Sequence, residues 1–458
     1  MKLFPSRYNY QCKINSRYSI LNNFLTGALD IIENNIAEKL LGNDFNPEEK
    51  NSDPLSSLIE RGYLYENPAA EKSLFNELFE NFKIKLKDRP IKFVFCPSYI
   101  CNLKCSYCFE KGLSKKREKF MTPELLKTGF NTIKEFPKKY GKKISSVELF
   151  GGEPLLKRTK DMVFEILDFS SKEGIKVSII TNGVMVKEFI EILNDFKNTI
   201  EMLQVTLDGP EFIHDARRKF YSGKGSFKNI SEGISLLLKN GINANVRVNI
   251  DMENIDFLPD LYSLIEEMKW LESPHFKIQP SKVTDHSTTE YKYPVVRDHI
   301  LMEKLIEIYN DHPQIEDVFK LYMFKPVRHI LDIVNGAENV SPRYYNCESN
   351  LIELYMLCPD GYIYTCPESI GIENTAIGKY FPQLELFGKR TKMWTERNIL
   401  VMQKCRECRF APICGGGCPY ASMLIYRDNL QPVCEDFQPV LDTFIRHRGE
   451  KILQKFSL

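Results

Sequence analysis

Between residues 89 and 290 short apolar runs rich in β-branched and aromatic residues alternate with amphipathic stretches of helical period, which is the mark of parallel βα units. Strands are expected at 91–95, 146–149, 176–181, 202–207, 244–250 and 275–278. Helices are expected between them at 123–136, 159–172, 186–194, 227–240 and 255–268. Six units are too few for a closed eight-unit barrel, so the pattern predicts an α/β fold built on a partial (β/α)6 TIM-like barrel. In such sheets ligands bind at the carboxyl ends of the strands.

The 458 residues leave room for further domains. Residues 1–88 mix strand-like runs at 7–13, 18–21 and 62–65 with helical ones at 26–41, 54–61 and 69–87, around a polar loop at 42–53; this texture predicts a winged-helix-like module. Residues 291–345 read as a helical connector, 346–438 as a cysteine-rich domain and 439–458 as a C-terminal helix. The basic residues of that helix, Arg446, Arg448, Lys451 and Lys455, read as a solvated face.

Lys and Arg number 62 against 61 Asp and Glu, so no overall basic field exists to draw nucleic acid or an anionic membrane. The N-terminus lacks an apolar signal core, and no stretch approaches the roughly 20 apolar residues of a membrane span. The expected location is cytoplasmic. There, thirteen clustered cysteines suggest metal binding before disulfides.

Cys101, Cys105 and Cys108 follow the first barrel strand directly, in a C-x-x-x-C-x-x-C spacing expected by chance on the order of 0.01 times in such a chain. A zinc knuckle would want a fourth nearby ligand, and the local sequence supplies none. Three thiolates on a 4Fe-4S cube instead leave one iron open to a substrate. The triplet, with Tyr107 before its last cysteine, resembles the signature of the radical S-adenosylmethionine (radical SAM) superfamily. That resemblance implies an open iron chelating the amino and carboxylate groups of S-adenosylmethionine, with reductive cleavage to a 5′-deoxyadenosyl radical. It makes Cys101, Cys105 and Cys108 the expected catalytic centre.

One βα unit later stands Gly151-Gly152-Glu153, where glycines allow close backbone approach and a carboxylate suits an ammonium group. By its position it resembles the family motif that holds the methionine amino group. Later strand ends carry Thr181-Asn182-Gly183, Thr206-Leu207-Asp208 and, beyond, Arg217-Arg218. Singly these suit turns as well as sites. The resemblance implies cofactor contacts from Tyr107, Asn182, Thr206 and Arg218, with Arg247 and Asn249 as further candidates.

Seven later cysteines, Cys347, Cys366, Cys405, Cys408, Cys414, Cys418 and Cys434, together with Gly361, resemble the SPASM domain, which carries two auxiliary 4Fe-4S clusters in related enzymes. Chain closeness groups Cys405, Cys408 and Cys414. The resemblance adds Cys434 to that group and sends Cys418 back to Cys347 and Cys366. The second set is then one protein ligand short, to be filled by Cys358 or left open to substrate. Zinc is the alternative for thiolate sets of this kind. Cys12 and Cys96 fall outside every motif, Cys96 reading as a small core hydrophobe.

The N-terminal module resembles the winged-helix elements that hold leader segments of ribosomally made peptides as an added edge strand; the alternative is a structural cap. The leading expectation is a radical SAM/SPASM maturase that modifies a precursor peptide, for instance by a thioether cross-link, with a flavodoxin or ferredoxin as electron donor. The second is a sulfatase-maturing, formylglycine-forming enzyme. The type with these cysteines carries an acidic residue directly after the equivalent of Cys366, where this chain has Pro367 and then Glu368. The third is a non-catalytic zinc-bound adaptor.

Overall fold

The computed structural model describes residues 3–42, 45, 53–109, 119–284, 295–337 and 341–456. The N-terminal segment contains β1 (Phe4–Pro5), β2 (Asn9–Lys13), β3 (Tyr18–Asn23), β4 (Leu29–Glu33), α1 (Asn34–Gly42), α2 (Leu55–Glu60), β5 (Leu64–Tyr65) and α3 (Pro68–Lys87). β2, β3 and β4 form an antiparallel sheet in that order, and β1 pairs with β5. The expected helix over 26–41 is therefore corrected, because its first half is β4. Leu25, Leu29, Ile32, Ile36 and Leu40 fit a helical period, but Ile31 and Ile32 are β-branched and pair with β3. Asp30 is fixed there by Arg61 Nε at 2.5 Å and the Tyr63 hydroxyl at 2.6 Å. Most of the loop expected at 42–53 lies outside the described residues.

The barrel runs β6 (Ile91–Phe95), β7 (Leu103–Cys105), α4 (Pro123–Tyr140), β8 (Ile144–Leu149), α5 (Lys160–Lys172), β9 (Val177–Thr181), α6 (Val186–Asp195), β10 (Ile200–Thr206), α7 (Glu211–Arg217), β11 (Arg218–Phe220), α8 (Phe227–Lys239), β12 (Ala244–Ile250), α9 (Leu258–Glu267) and β13 (Phe276–Lys282). The six expected strands lie parallel in the order β13-β12-β10-β9-β8-β6. Alternation along each strand sorts its side chains. On β12, Val246, Val248 and Ile250 join the main apolar core, whereas Arg247 and Asn249 make polar contacts.

Downstream come α10 (Asp298–Asp311), α11 (Lys325–Val334), α12 (Glu348–Leu351), β14 (Leu354–Leu357), β15 (Tyr362–Tyr364), β16 (Gly378–Lys379), β17 (Glu385–Leu386), α13 (Gly388–Thr395), α14 (Gln403–Arg406), α15 (Ala411–Cys414), α16 (Pro419–Tyr426) and α17 (Phe437–Lys455). β14 lies parallel to β6, and β15 to β17 follow antiparallel, so the barrel sheet continues into the cysteine-rich region and reaches ten strands. Beside this seam Val94, Cys96, Tyr99, Met356, Cys358 and Tyr364 form a second apolar cluster.

The solvated reading of the C-terminal basic helix is corrected at Arg448. Its side chain is 7% exposed and binds Glu316 at 2.8 Å and Asn310 at 3.2 Å. α17 buries Val440, Leu441, Phe444, Ile445 and Ile452 and carries Asp442, which accepts from Tyr10 on β2 at 2.9 Å. It thereby ties the N-terminal sheet to the connector helices.

His329 on α11 is buried, its ring edge-on to Phe24 at 5.4 Å. Burial, with a smaller push from Arg343, lowers its pKa to about 4. Above the ordinary histidine value of 6.5 both folded and unfolded chains are neutral there. As pH falls from 6.5 toward 4 the unfolded chain takes up the proton first, so stability is lost in that window, by on the order of 3 kcal/mol in full. Thermal melts of wild type and His329→Leu between pH 7.5 and 5 should show a shallower acid slope for the variant; equal slopes would contradict this.

Candidate active site

The cysteine triplet sits where β6 ends and the chain doubles back through β7. Cys105 closes β7 and is paired across the short antiparallel ladder with Arg218, the first residue of β11. The Leu103 N–H donates to Cys101 Sγ at 3.4 Å, and Asn182 Nδ2 lies 3.6 Å from the same sulfur. Burial pushes the Cys101 thiol up to about 12, with Glu153 and Cys105 adding and the Leu103 N–H and Arg218 opposing. Buried sulfurs that receive N–H donors and face a cation suit thiolates held by metal.

Gly151 and Gly152 press the β8–α5 turn onto the loop leading to the triplet. A Cβ at Gly151, whose φ is +140°, would lie 2.6 Å from the Ser98 carbonyl oxygen, and one at Gly152 would lie 2.5 Å from that of Tyr99. The Gly152 N–H donates to Ser98 O and the Glu153 N–H to Ile100 O, both at 3.0 Å. The close approach made by these glycines is thus to the cysteine loop. Glu153 is buried and accepts from Thr181 Oγ1 at 2.6 Å, the Asn182 N–H at 2.7 Å and the Leu155 N–H at 2.8 Å. It locks the ends of β8 and β9 together and orients Asn182, whose Nδ2 donates to Asn102 Oδ1 at 2.7 Å.

Tyr107 is the hub of the opposite wall. Its hydroxyl donates to Asp208 and accepts from Arg218 Nη1 at 2.7 Å and Asn249 Nδ2 at 3.2 Å. Arg217 lies 4.8 Å over the Tyr107 ring and binds Asp251 through both terminal nitrogens, at 2.8 and 2.9 Å. Arg247 donates to Asn249 Oδ1 at 2.9 Å and Ser281 Oγ at 2.8 Å; Thr206 ends β10 beside Arg247 in register. Asp208, Arg217 and Asp251 were not among the expected site residues. The signal available for the first two was their place in the 206–218 strand-end motifs. Among the described residues Arg218 Nε is buried without an acceptor, which leaves a guanidinium edge for a carboxylate.

Two sets of later cysteines lie near enough to feel each other's charge: Cys414, Cys408 and Cys434 add to the rise of the Cys405 pKa, and Cys418 and Cys347 to that of Cys366. Burial is the main force raising both thiols, and Cys405 reaches about 12. Cys358 belongs to neither group. It packs beside Cys96 at the β6–β14 seam, where the Phe95–Leu357 register aligns the two, and its electrostatic neighbours are Cys96 and Asp360. The carboxylate facing the Cys347, Cys366 and Cys418 group is that of Glu368. Among the described residues no three His, Cys, Asp or Glu side chains converge tightly enough to hold a single metal ion. Among the described residues no helix is long and apolar enough to cross a membrane.

Comparison with known proteins adds three kinds of likeness. Residues 95–265 match the radical SAM superfamily. Fe-coproporphyrin III synthase of Methanosarcina barkeri is 29% identical over 171 residues, 37% of this chain and 39% of that protein. The antilisterial bacteriocin subtilosin biosynthesis protein AlbA of Bacillus subtilis is 28% identical over 185 residues, 39% of this chain and 37% of AlbA. This chain therefore spans about two fifths of the length of these curated relatives. A cysteine-type anaerobic sulfatase-maturating enzyme of Clostridium novyi is 22% identical over 342 residues, 69% of this chain and 84% of its own.

Among solved structures, anSMEcpe with bound AdoMet aligns with a TM-score of 0.60 at 18% identity, covering 80% of this chain and 98% of that one. Streptococcus suis SuiB bound to precursor peptide SuiA aligns with a TM-score of 0.55 at 17% identity, covering 94% and 98%. At such identities the structures establish a shared fold. With the cysteine triplet near the head of the matched span, residues 95–265 form a radical SAM domain, whose cofactors are S-adenosylmethionine and a 4Fe-4S cluster.

Proposed function

We propose that this chain is a radical SAM/SPASM peptide maturase. In this reading Cys101, Cys105 and Cys108 hold the cluster that binds S-adenosylmethionine. Cys405, Cys408, Cys414 and Cys434 hold one auxiliary cluster, and Cys347, Cys366 and Cys418 another. The bound cluster and S-adenosylmethionine supply reductive C–S cleavage to a 5′-deoxyadenosyl radical. The chain's part is positioning: Arg218 offers its free Nε edge to the methionine carboxylate, Tyr107 and Asp208 hold Arg218 and Asn249 in place, and Asn182 lies over Cys101. A cytoplasmic location and a flavodoxin or ferredoxin as electron donor complete the reading.

The observation that carries the peptide substrate is the outer edge of β4. β3 takes one side of β4, and among the described residues no strand takes the other. The bonds from the Asn23 N–H to Ala28 O and from the Asn34 N–H to Arg17 O fix the ladder's phase. By antiparallel alternation the backbone groups of Leu29, Ile31 and Glu33 then point away from β3; the Leu29 carbonyl already accepts from Arg61 Nη2 at 3.3 Å, so the groups left for a new strand are those of Ile31 and Glu33. An extended leader segment can add there as a further strand. SuiB, recorded with a precursor peptide, covers 94% of this chain, and AlbA acts in bacteriocin biosynthesis; both support this reading.

Ile31→Pro removes one outward N–H while leaving the β3 ladder intact. Titration with a synthetic leader segment of a small precursor peptide encoded beside this gene should show affinity weakened by about tenfold, the worth of one to two backbone hydrogen bonds. Equal affinity of variant and wild type would refute docking at this edge.

The second reading, a sulfatase-maturing enzyme, is favoured by the long Clostridium novyi alignment and the anSMEcpe fold. Against it stands Pro367 directly after Cys366. The part of this chain not covered by anSMEcpe also matches residues 1–88 in size. Conversion of a cysteine-containing sulfatase peptide to formylglycine would establish this second reading.

A further inference from the structure

Arg397 is fully buried. Its donors all end on backbone carbonyls: Nε on Asn429 O at 2.6 Å, Nη1 on Gly417 O at 2.9 Å, and Nη2 on Gly416 O at 2.7 Å and Gln431 O at 3.1 Å. Among the described residues no carboxylate pairs with it. Neutral carbonyls satisfy the N–H groups but leave the charge uncompensated, and a buried guanidinium without an anion costs several kcal/mol.

The chain segments around Arg397 all belong to the cysteine groups. Gly416 and Gly417 lie between Cys414, of one set, and Cys418, of the other. Gln431 precedes Cys434, and Arg397's own carbonyl accepts at 3.3 Å from Asn350, three residues past Cys347. Burial pulls the Arg397 pKa down, and the groups that oppose this are Cys405, Cys418, Cys347 and Cys414, two from each set.

We propose that Arg397 is a positioning residue whose guanidinium stands between the two auxiliary clusters as their shared counter-cation, raising the reduction potential of both. This rests on the two-cluster assignment made above. A positive charge near a cluster favours its reduced, more negative state, and in a dry interior that effect is larger than in water. The same residue serves both clusters, so both couples respond to its loss.

The test uses the full chain, reconstituted with iron and sulfide under anaerobic conditions, as wild type, Arg397→Gln and Arg397→Lys. Iron and sulfide per chain are measured first, then each cluster is followed by electron paramagnetic resonance during redox titration. In Arg397→Gln the reduced-to-oxidised ratio of both auxiliary clusters, read at their wild-type midpoints, should fall by about tenfold or more. The cluster of the Cys101 triplet should be unaltered, and Arg397→Lys, which keeps the charge, should stay near wild type. Should Arg397→Gln bind less auxiliary iron, a lysine variant loaded with wild-type potentials still supports the charge. Glutamine and lysine variants that behave alike, whether both normal or both defective, overturn the inference and make Arg397 a hydrogen-bond scaffold. Wild-type protein holding, beside the cluster of the Cys101 triplet, iron for one further cube only would instead refute the two-cluster assignment itself.

Discussion

Alanine at Cys101, Cys105 and Cys108 together will reduce release of 5′-deoxyadenosine from S-adenosylmethionine to the level of the protein-free control, while iron bound by the C-terminal cysteines persists. The expected effect is this complete because the three thiols are the only cysteines of the sequence between β6 and α4 besides Cys96, which is buried at the β6–β14 seam. The fold should survive the change. Cys105 contributes to the β7–β11 ladder through its backbone, and Cys101 and Cys108 are only partly buried. The β8–α5 turn stays pinned by the Ser98 and Ile100 carbonyls, so Glu153 and Asn182 keep their places. Release equal to wild type would remove the triplet from the chemistry. Loss of all iron, including the C-terminal share, would mean that the two regions fold as one unit through β14.

Gly417→Ala will be the most damaging single substitution in the cysteine-rich region. Gly415, Gly416 and Gly417 run consecutively with φ of +73°, +86° and +73°, joining Cys414 to Cys418 by a path that L side chains rarely take. A Cβ at Gly417 would stand 1.9 Å from the Val433 carbonyl oxygen, next to Cys434, and one at Gly415 would stand 2.3 Å from that of Tyr345. Both clashes are with backbone. At Gly416 the contact is the Met402 methyl, which can swing away.

Gly336 makes the control, with φ +87° and nothing within 4 Å of its added Cβ. Gly336→Ala should cost about 1 kcal/mol from the left-handed backbone alone. Gly417→Ala should cost about 3–5 kcal/mol and release auxiliary iron, since it also parts the segments that carry Cys418 and Cys434. Melting temperature and iron per chain measure both variants. Equal losses would show that the backbone clash is absorbed.

What the sequence disclosed follows the range of the interactions. β6 and β12 appear at the expected residues, and the other barrel strands within a few, because parallel strands buried under helices leave an apolar signature in their own residues. The cysteine spacings were equally local, each readable within a few residues of chain. The misses depend on distant partners. β14 is a four-residue run whose parallel pairing with β6 spans more than half the chain. The β7–β11 ladder, which sets Arg218 beside Cys105, joins residues far apart in sequence. β4 carries helical periodicity, overruled by β3. Arg448 and Arg397 are indistinguishable from surface arginines until Glu316 and the glycine turn are seen folded against them.

The most direct test of a peptide maturase is mass spectrometry of the small cysteine-containing precursor encoded beside this gene, purified after anaerobic co-expression with the full chain. A cross-link between a thiol and a carbon removes one hydrogen from each, so the peptide should lose the mass of two hydrogens per link. The loss should vanish with the triple alanine variant of Cys101, Cys105 and Cys108. A peptide of unchanged mass, recovered beside wild-type protein that still cleaves S-adenosylmethionine, would contradict a cross-linking maturase.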